Sequence, residues 1–255
     1  MLILAIGDVI GKPGRQAIAR FLPELKQQYG VDFTVVNAEN VAGGIGVTPE
    51  TATELLKAGA DVLTSGNHIW AHKDIIPILN SETPLIRPLN YPPGVPGRGF
   101  IVSKGVLVVN LIGRTFMGNF DCPFRTMDRL LAELPDKPPV ILVDFHAEAT
   151  SEKVAMGRYL DGRVSAVLGT HTHVRTIDAS VLPGGTAHVT DIGMTGPIDS
   201  IIGDDPQSVL DRFLTQLPNR LSAGKGRTVV NAMLVRVDDA TGRALSIERI
   251  QRETD

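Results

Sequence analysis

Short apolar runs recur along this chain, and each stops at a polar residue. Residues 2–6, 33–37, 62–65, 140–145 and 164–168 are such runs. Strands covered on both faces look like this, because neither face has to stay polar. The segments between them read as helices: 15–29, a stretch opened by Thr48 as N-cap with Pro49 at the first helical position, 123–134, 152–160 and 206–216. Strands alternating with helices predict an α/β architecture with parallel strands inside. Two further pairs predict hairpins: 100–102 with 106–110 around Gly105, and 229–237 with 244–249. The sheet is therefore expected to be mixed, or a second sheet to pack on the first. Pro23 is expected to kink or divide the first helix. No repeat, low-complexity tract or linker interrupts the pattern, so residues 1–255 read as a single domain.

Charge and cysteine content narrow the function classes. Lys and Arg number 25 against 28 Asp and Glu, a formal charge of −3. Without a basic excess, strong nonspecific binding to nucleic acid or anionic lipid is not expected. The single cysteine, Cys122, excludes an intramolecular disulfide and any multi-cysteine zinc or iron–sulfur motif, and it fits a reducing compartment. No apolar run approaches the roughly 20 residues of a membrane span. The opening residues 1–6 lack the basic leader of a signal peptide and read as a first strand. A cytoplasmic protein with no membrane span is expected.

The ends of the five runs carry the chemistry. They lead into Asp8, into Glu39 with Asn40, into Asn67 with His68, into His146, and into His171 with His173. Open α/β sheets bind their ligands beyond the carboxyl ends of the strands. In Gly169-Thr170-His171-Thr172-His173, extended chain would put both imidazoles on one side, where they could reach neighbouring ions. Singly, Asp8, Asn40 and Asn67 are ordinary turn residues; five loops delivering such groups to one edge is a different matter. Carboxylate, amide and imidazole donors without thiolate point to Mn, Fe, Zn or Co rather than Mg alone. They exceed what one tetrahedral ion takes and suit two ions sharing a carboxylate. Two divalent ions outweigh Asp8, Glu39 and a bridging hydroxide, leaving positive charge for a phosphate oxygen. Ions about 3.5–4 Å apart can then stabilise both oxygens of a phosphoryl displacement. His72 and His188 fall outside the pattern, with His188 expected nearer the site. Lys12, Arg114 and Arg175 read as solvated cations. The glycines after residues 6 and 42 lack phosphate-loop spacing, and there is no serine-hydrolase elbow.

Gly7-Asp8, Gly66-Asn67-His68, His146 and Gly169–His173 together resemble the ordered motifs of calcineurin-like metallophosphoesterases, across residues 7 to 173. Three departures are visible. Asp8-Val9-Ile10 stands in place of Asp-x-His, Asn37-Ala38-Glu39-Asn40 in place of the Gly-Asp bridging motif, and Ile69 in place of the acid after Gly-Asn-His. These departures resemble the YmdB-like branch. The resemblance implies a four-layer α/β/β/α sandwich with two mixed sheets. It implies one metal on Asp8, Glu39, Asn40 and His173, and a second on Glu39, Asn67, His146 and His171. His68 is left as proton donor to the departing oxygen, with a backbone carbonyl to orient it in place of the missing acid.

The activity implied is hydrolysis of 2′,3′-cyclic nucleotides or related small phosphodiesters through attack of a metal-bridging hydroxide. The cofactors expected are two divalent or mixed-valence ions, iron first, with manganese and zinc as alternatives. Other readings are a broad phosphomonoesterase or nuclease, and a nucleotide- or metal-sensing regulator with incidental turnover. A redox di-iron protein would use more carboxylates than two. The partner is a small phosphodiester or nucleotide, and a homo-oligomer is compatible with all of these features.

Overall fold

In the computed structural model, which describes residues 1–254, the apolar runs become strands of two different sheets. The first half of the chain forms β1 (Leu2–Ile6), α1 (Gly11–Tyr29), β2 (Phe33–Asn37), α2 (Pro49–Lys57), β3 (Val62–Thr64), α3 (Ile75–Leu79), β4 (Phe100–Ser103), β5 (Val106–Ile112) and α4 (Pro123–Glu133). The second half forms β6 (Val140–His146), α5 (Thr150–Tyr159), β7 (Ala166–Thr170), β8 (Ser180–Val181), β9 (Ala187–Val189), β10 (Gly196–Pro197), α6 (Pro206–Thr215), β11 (Thr228–Val237) and β12 (Ala244–Glu253).

One sheet runs β10-β11-β1-β2-β3, with β12 paired to β11. Its β1, β2 and β3 are parallel, while β11 runs antiparallel to β1. The other runs β4-β5-β6-β7-β9-β8, parallel from β5 to β9 and antiparallel at both edges. Both sheets are mixed, as the predicted hairpins require. The β4–β5 hairpin turns on Lys104 and Gly105, both with positive φ (49° and 77°), the pairing that suits a tight two-residue turn.

Alternation along each strand sorts side chains into three cores. Ile3 and Ala5 of β1 face Val108 of β5 and Leu142 of β6, so the two sheets pack face to face. Leu2, Leu4 and Ile6 point the other way, onto Ile18, Phe21 and Leu22 of α1. Val109, Val143 and Phe145 pack against Met127 of α4 and Met156 of α5. The result is the four-layer α/β/β/α order. Among the described residues no helix is long and apolar enough to cross a membrane.

Two local expectations fail. Helix α1 neither breaks at Pro23 nor starts at residue 15; it is continuous from Gly11. Pro13 lies in the first turn, where no intrahelical N–H is required, and Pro23 lies on the exposed face, where water can satisfy the freed carbonyl one turn back. The second failure is at the histidine loop. Strand β7 ends at Thr170, and His171 and His173 take φ of 96° and 64°. They project from a left-handed bend, not from extended chain.

Candidate metal centre

Asp8 follows β1, Glu39 and Asn40 follow β2, and Asn67 and His68 follow β3, all in one sheet. His146 is the last residue of β6, and His171 and His173 follow β7, in the other. The carboxyl ends of both sets of strands meet at one edge, so the site straddles the two sheets. Two sets of donor atoms there lie within 4.8 Å of one another: Glu39 with His146 and His171, and Asp8 with Glu39 and His173. Glu39 belongs to both. Asn67 joins the first set through Oδ1, 3.1 Å from His146 Nε2. Asn40 joins the second through Nδ2, 3.2 Å from His173 Nε2 and 3.1 Å from Glu39 Oε1. Gly66 permits this approach, because a Cβ there would overlap Glu39 Oε2 and His146 Nε2. The structure thus gathers all seven candidate ligands and His68 into one place.

Each imidazole in the two sets has one nitrogen tied to an acceptor and the other turned to the centre. Thr170 donates its hydroxyl to Asp144 Oδ1 (2.7 Å) and so accepts from His146 Nδ1 (2.9 Å). His173 Nδ1 donates to the carbonyl of Ile202 (2.6 Å), and His171 Nε2 lies 3.1 Å from Glu148 Oε2. The inward atoms are therefore His146 Nε2, His171 Nδ1 and His173 Nε2. Fixing the far N–H in this way is how proteins hold the tautomer of a metal-ligating histidine.

The electrostatics ask for a cation. Asp8 and Glu39 are almost completely buried, and Asp8 Oδ1 has no hydrogen-bond partner. Burial pushes the Asp8 carboxyl up to about 6 despite the opposing pull of His173 and His146. Burial also raises Glu39, but the charges and hydrogen bonds of His146 and His68 outweigh it and hold the group well below the usual range. Burial lowers His146, yet Glu39, Asp8 and Asp144 lift it to about 9. Burial and the neighbouring His146 drop His171 to about 3, so its ring stays neutral. Three inward imidazole nitrogens, a shared carboxylate and an orphaned carboxylate oxygen fit a pair of divalent ions with mixed nitrogen and oxygen donors.

His68 is about one-third exposed, and its Nδ1 lies 2.7 Å from Asn40 Oδ1 and 3.3 Å from Glu39 Oε1. The orienting group is thus an amide with a carboxylate behind it, not the expected backbone carbonyl. Ile69, at the position of the missing acid, is buried in the core beneath α1 and α2. His188 is not near the centre as expected: it is buried against Gly157 of α5, with Nδ1 on the carbonyl of Val167. His72 sits on the carbonyl of Ile45.

The residues that brace the site went unread in the sequence. Asp144, an acid inside an apolar run, was the one with a visible signal; it takes hydrogen bonds from Thr64, Thr170 and Asn37. Asp191 and Lys153 form a buried ion pair at 2.6 Å. Asp191 also accepts from Thr172, between the two histidines, through N (3.2 Å) and Oγ1 (2.7 Å). Nothing in the local sequence marks either residue, since their partners are 19 and 38 positions away.

Two mixed sheets packed face to face, with carboxylates and imidazoles gathered at their shared edge, define the calcineurin-like phosphoesterase fold. The crystal structure of the calcineurin-like phosphoesterase YfkN from Bacillus subtilis has a TM-score of 0.56 over 98% of this chain and 90% of that one, at 11% identity, a likeness of fold alone. The model of the YmdB-like proteins matches residues 4–250, and the chain belongs to that family. A Bacillus subtilis (strain 168) relative, a 2′,3′-cyclic-nucleotide 2′-phosphodiesterase, is 47% identical over 98% of this chain and 96% of its own. The crystal structure of a novel phosphatase from Mycoplasma pneumoniae is 32% identical with a TM-score of 0.93, covering 99% of this chain and 93% of that one.

Proposed function

We propose that this chain hydrolyses small phosphodiesters, 2′,3′-cyclic nucleotides first among them, at a centre of two metal ions. The observation that carries this reading is Glu39, one buried carboxylate common to two sets of donors. One ion is assigned to Asp8, Glu39, Asn40 and His173, the other to Glu39, Asn67, His146 and His171. Oxygen and nitrogen donors without thiolate favour iron, with manganese or zinc as alternatives. When bound, such ions supply a nucleophile at neutral pH and polarise the phosphoryl oxygens. The names of the Bacillus and Mycoplasma relatives support phosphoester chemistry. We read the whole chain as one catalytic unit, since both sheets contribute ligands.

The protein's own groups do the rest. The amides and imidazoles are fixed before substrate arrives, so little reorganisation is needed as charge develops. His68 is the proton donor to the departing oxygen. As described, Asn40 gives its oxygen to His68 and its nitrogen to His173 and Glu39. That oxygen accepts from His68 Nδ1–H, with the Glu39 carboxylate behind it, and its second lone pair is the one Asn40 would offer an ion. The proton to be given up then sits on Nε2, which no protein group hydrogen-bonds among the described residues, and donating it leaves the ring neutral with Nδ1–H still held.

Metal analysis of chelator-free protein, coupled to a diester panel, tests the reading. Two ions per chain with turnover of a 2′,3′-cyclic nucleotide are expected; metal-loaded protein inert on every diester overturns it. His68→Ala is expected to keep both ions and lose roughly 10²–10⁴-fold in rate. Glu39→Ala is expected to lose metal, and two ions in that variant would sink the shared assignment.

A further inference from the structure

Beside His173, at the metal centre, a groove of about 500 Å³ opens. Val174, from the bend after β7, Met194, between β9 and β10, and Ile202, after β10, give it an apolar lining. Asn231 of β11 and Gln251, its register partner on β12, give it a polar one. The groove is built into the ligand loops. Gly7 N donates to the Asn231 carbonyl (3.2 Å), Met194 N to the His173 carbonyl (3.0 Å), and Thr195 N to the Asp8 carbonyl (2.8 Å).

Three features mark it as a binding site. Asn231, a lining residue, is 5% exposed and uses Nδ2 on the Met194 carbonyl (2.7 Å), while its Oδ1 is buried with no hydrogen-bond partner. Val174 and Ile202 are 59% and 51% exposed, large aliphatic side chains held in water at the edge where the candidate ligands converge. Ile202 also has φ of 48°, a left-handed conformation that a β-branched residue adopts only under constraint. The constraint has a function: the Ile202 carbonyl orients His173, and the same residue turns its side chain to the groove. Strain of this kind concentrates at functional sites.

A groove of this size falls within the range of small-molecule sites, about 300–1,000 Å³. Its chemistry suits a nucleobase, which has flat apolar faces and a polar edge. Aliphatic side chains can cover the faces, and the amide of Gln251, whose oxygen accepts from the exposed Arg175 guanidinium and whose Nε2 donates to Glu253, keeps one lone pair and one N–H to meet the edge. We propose that this groove is the base subsite: it receives the base of a 2′,3′-cyclic nucleotide whose phosphate lies at the metal centre. The proposal rests on the phosphodiesterase reading above. It adds that nucleotides are selected over other small diesters through remote binding energy, which acts on KM when ground state and transition state share it.

The test compares adenosine 2′,3′-cyclic phosphate with the base-free methyl riboside 2′,3′-cyclic phosphate, on metal-loaded wild type and on the Met194→Ser/Gln251→Ala double variant. Wild type is expected to prefer the nucleotide at least tenfold in kcat/KM. In the double variant that preference is expected to fall below threefold, through KM rather than kcat. Equal use of the two substrates by wild type overturns the subsite and leaves the phosphodiesterase reading intact. An unchanged preference in the double variant does the same. Turnover of neither substrate by wild type overturns the phosphodiesterase reading, and the subsite with it.

Discussion

Replacing Lys153 with Met should loosen the histidine loop from a distance. Lys153 Nζ lies 2.6 Å from Asp191 Oδ2, and both side chains are almost completely buried. The substitution preserves most of the apolar stem and removes the charge, leaving buried Asp191 without its cation. Breaking a buried pair by deleting one partner typically costs about 3–5 kcal/mol. Asp191 would keep three donors, Thr172 N, Thr172 Oγ1 and Gly193 N. The lower end is therefore expected, about 3 kcal/mol, read as a shift in urea unfolding of chelator-treated protein. Because Asp191 holds Thr172 between His171 and His173, bound metal should also fall below the wild-type content. A second variant separates stability from positioning. Lys153→Met/Asp191→Leu removes both charges, which is often neutral or stabilising, so it should unfold within about 1 kcal/mol of wild type. Thr172 still loses its acceptor, so metal content and turnover should stay low. Full turnover in the double variant would refute the positioning role, and a Lys153→Met protein indistinguishable from wild type would refute the argument entirely.

Gly66→Ala should abolish metal binding in a folded protein, since its Cβ would meet Glu39 Oε2 and His146 Nε2; elemental analysis and circular dichroism check it, and wild-type metal content would contradict it. In the metal-free chain His146 sits at about 9, above its ordinary value of 6.5. Its contribution to stability is therefore complete below about 6.5 and is lost as pH rises through about 9. Metal needs the neutral ring, so its affinity should rise with pH over that window and loading near pH 7.5 should release about one proton from His146. Calorimetry in buffers of different ionisation enthalpy would detect this, and zero release would contradict it. Asn40→Ala removes an assigned ligand as well as the acceptor of His68 Nδ1, so it is compared with wild type at equal metal content. Turnover of a poor-leaving-group diester should then fall roughly 10²-fold, the order expected for a misplaced acid, and a p-nitrophenyl diester, whose leaving group needs no proton, should suffer much less.

Strand termini were the most legible part of this chain, because an apolar run has to end where the backbone meets water. Asp8, Glu39, Asn67 and His146 were visible for that reason. The distribution of strands between two sheets was not legible locally: β1 pairs with β11 more than 200 residues later, and no periodicity in residues 2–6 encodes that partner. The histidine loop shows a subtler limit. An i, i+2 spacing suggested extended chain, yet His171 and His173 are bent by Asp191 and by the Ile202 carbonyl. The two rings still part, His171 toward Glu39 and His146 and His173 toward Asp8 and Glu39. Residue type was readable there, and backbone conformation was not, because tertiary hydrogen bonds set it.

The four buried acids of this edge are compensated unequally, and the inequality orders their roles. Asp191 has a lysine. Asp144 has two hydroxyls and an amide, and burial still raises its carboxyl above the ordinary range. Glu39 has His146 at 3.0 Å and His68 at 3.3 Å, which together keep it ionised. Asp8 has the backbone N–H of His171 on Oδ2, and on Oδ1 no hydrogen bond at all. A buried carboxylate oxygen with no partner is among the costliest groups a fold can hold, and it persists only where something outside the chain repays it. Asp8 is thus the carboxylate whose stability depends most on a bound cation. Its backbone carbonyl, paired to Thr195, ties that dependence to the segment that runs on to Ile202 and the groove.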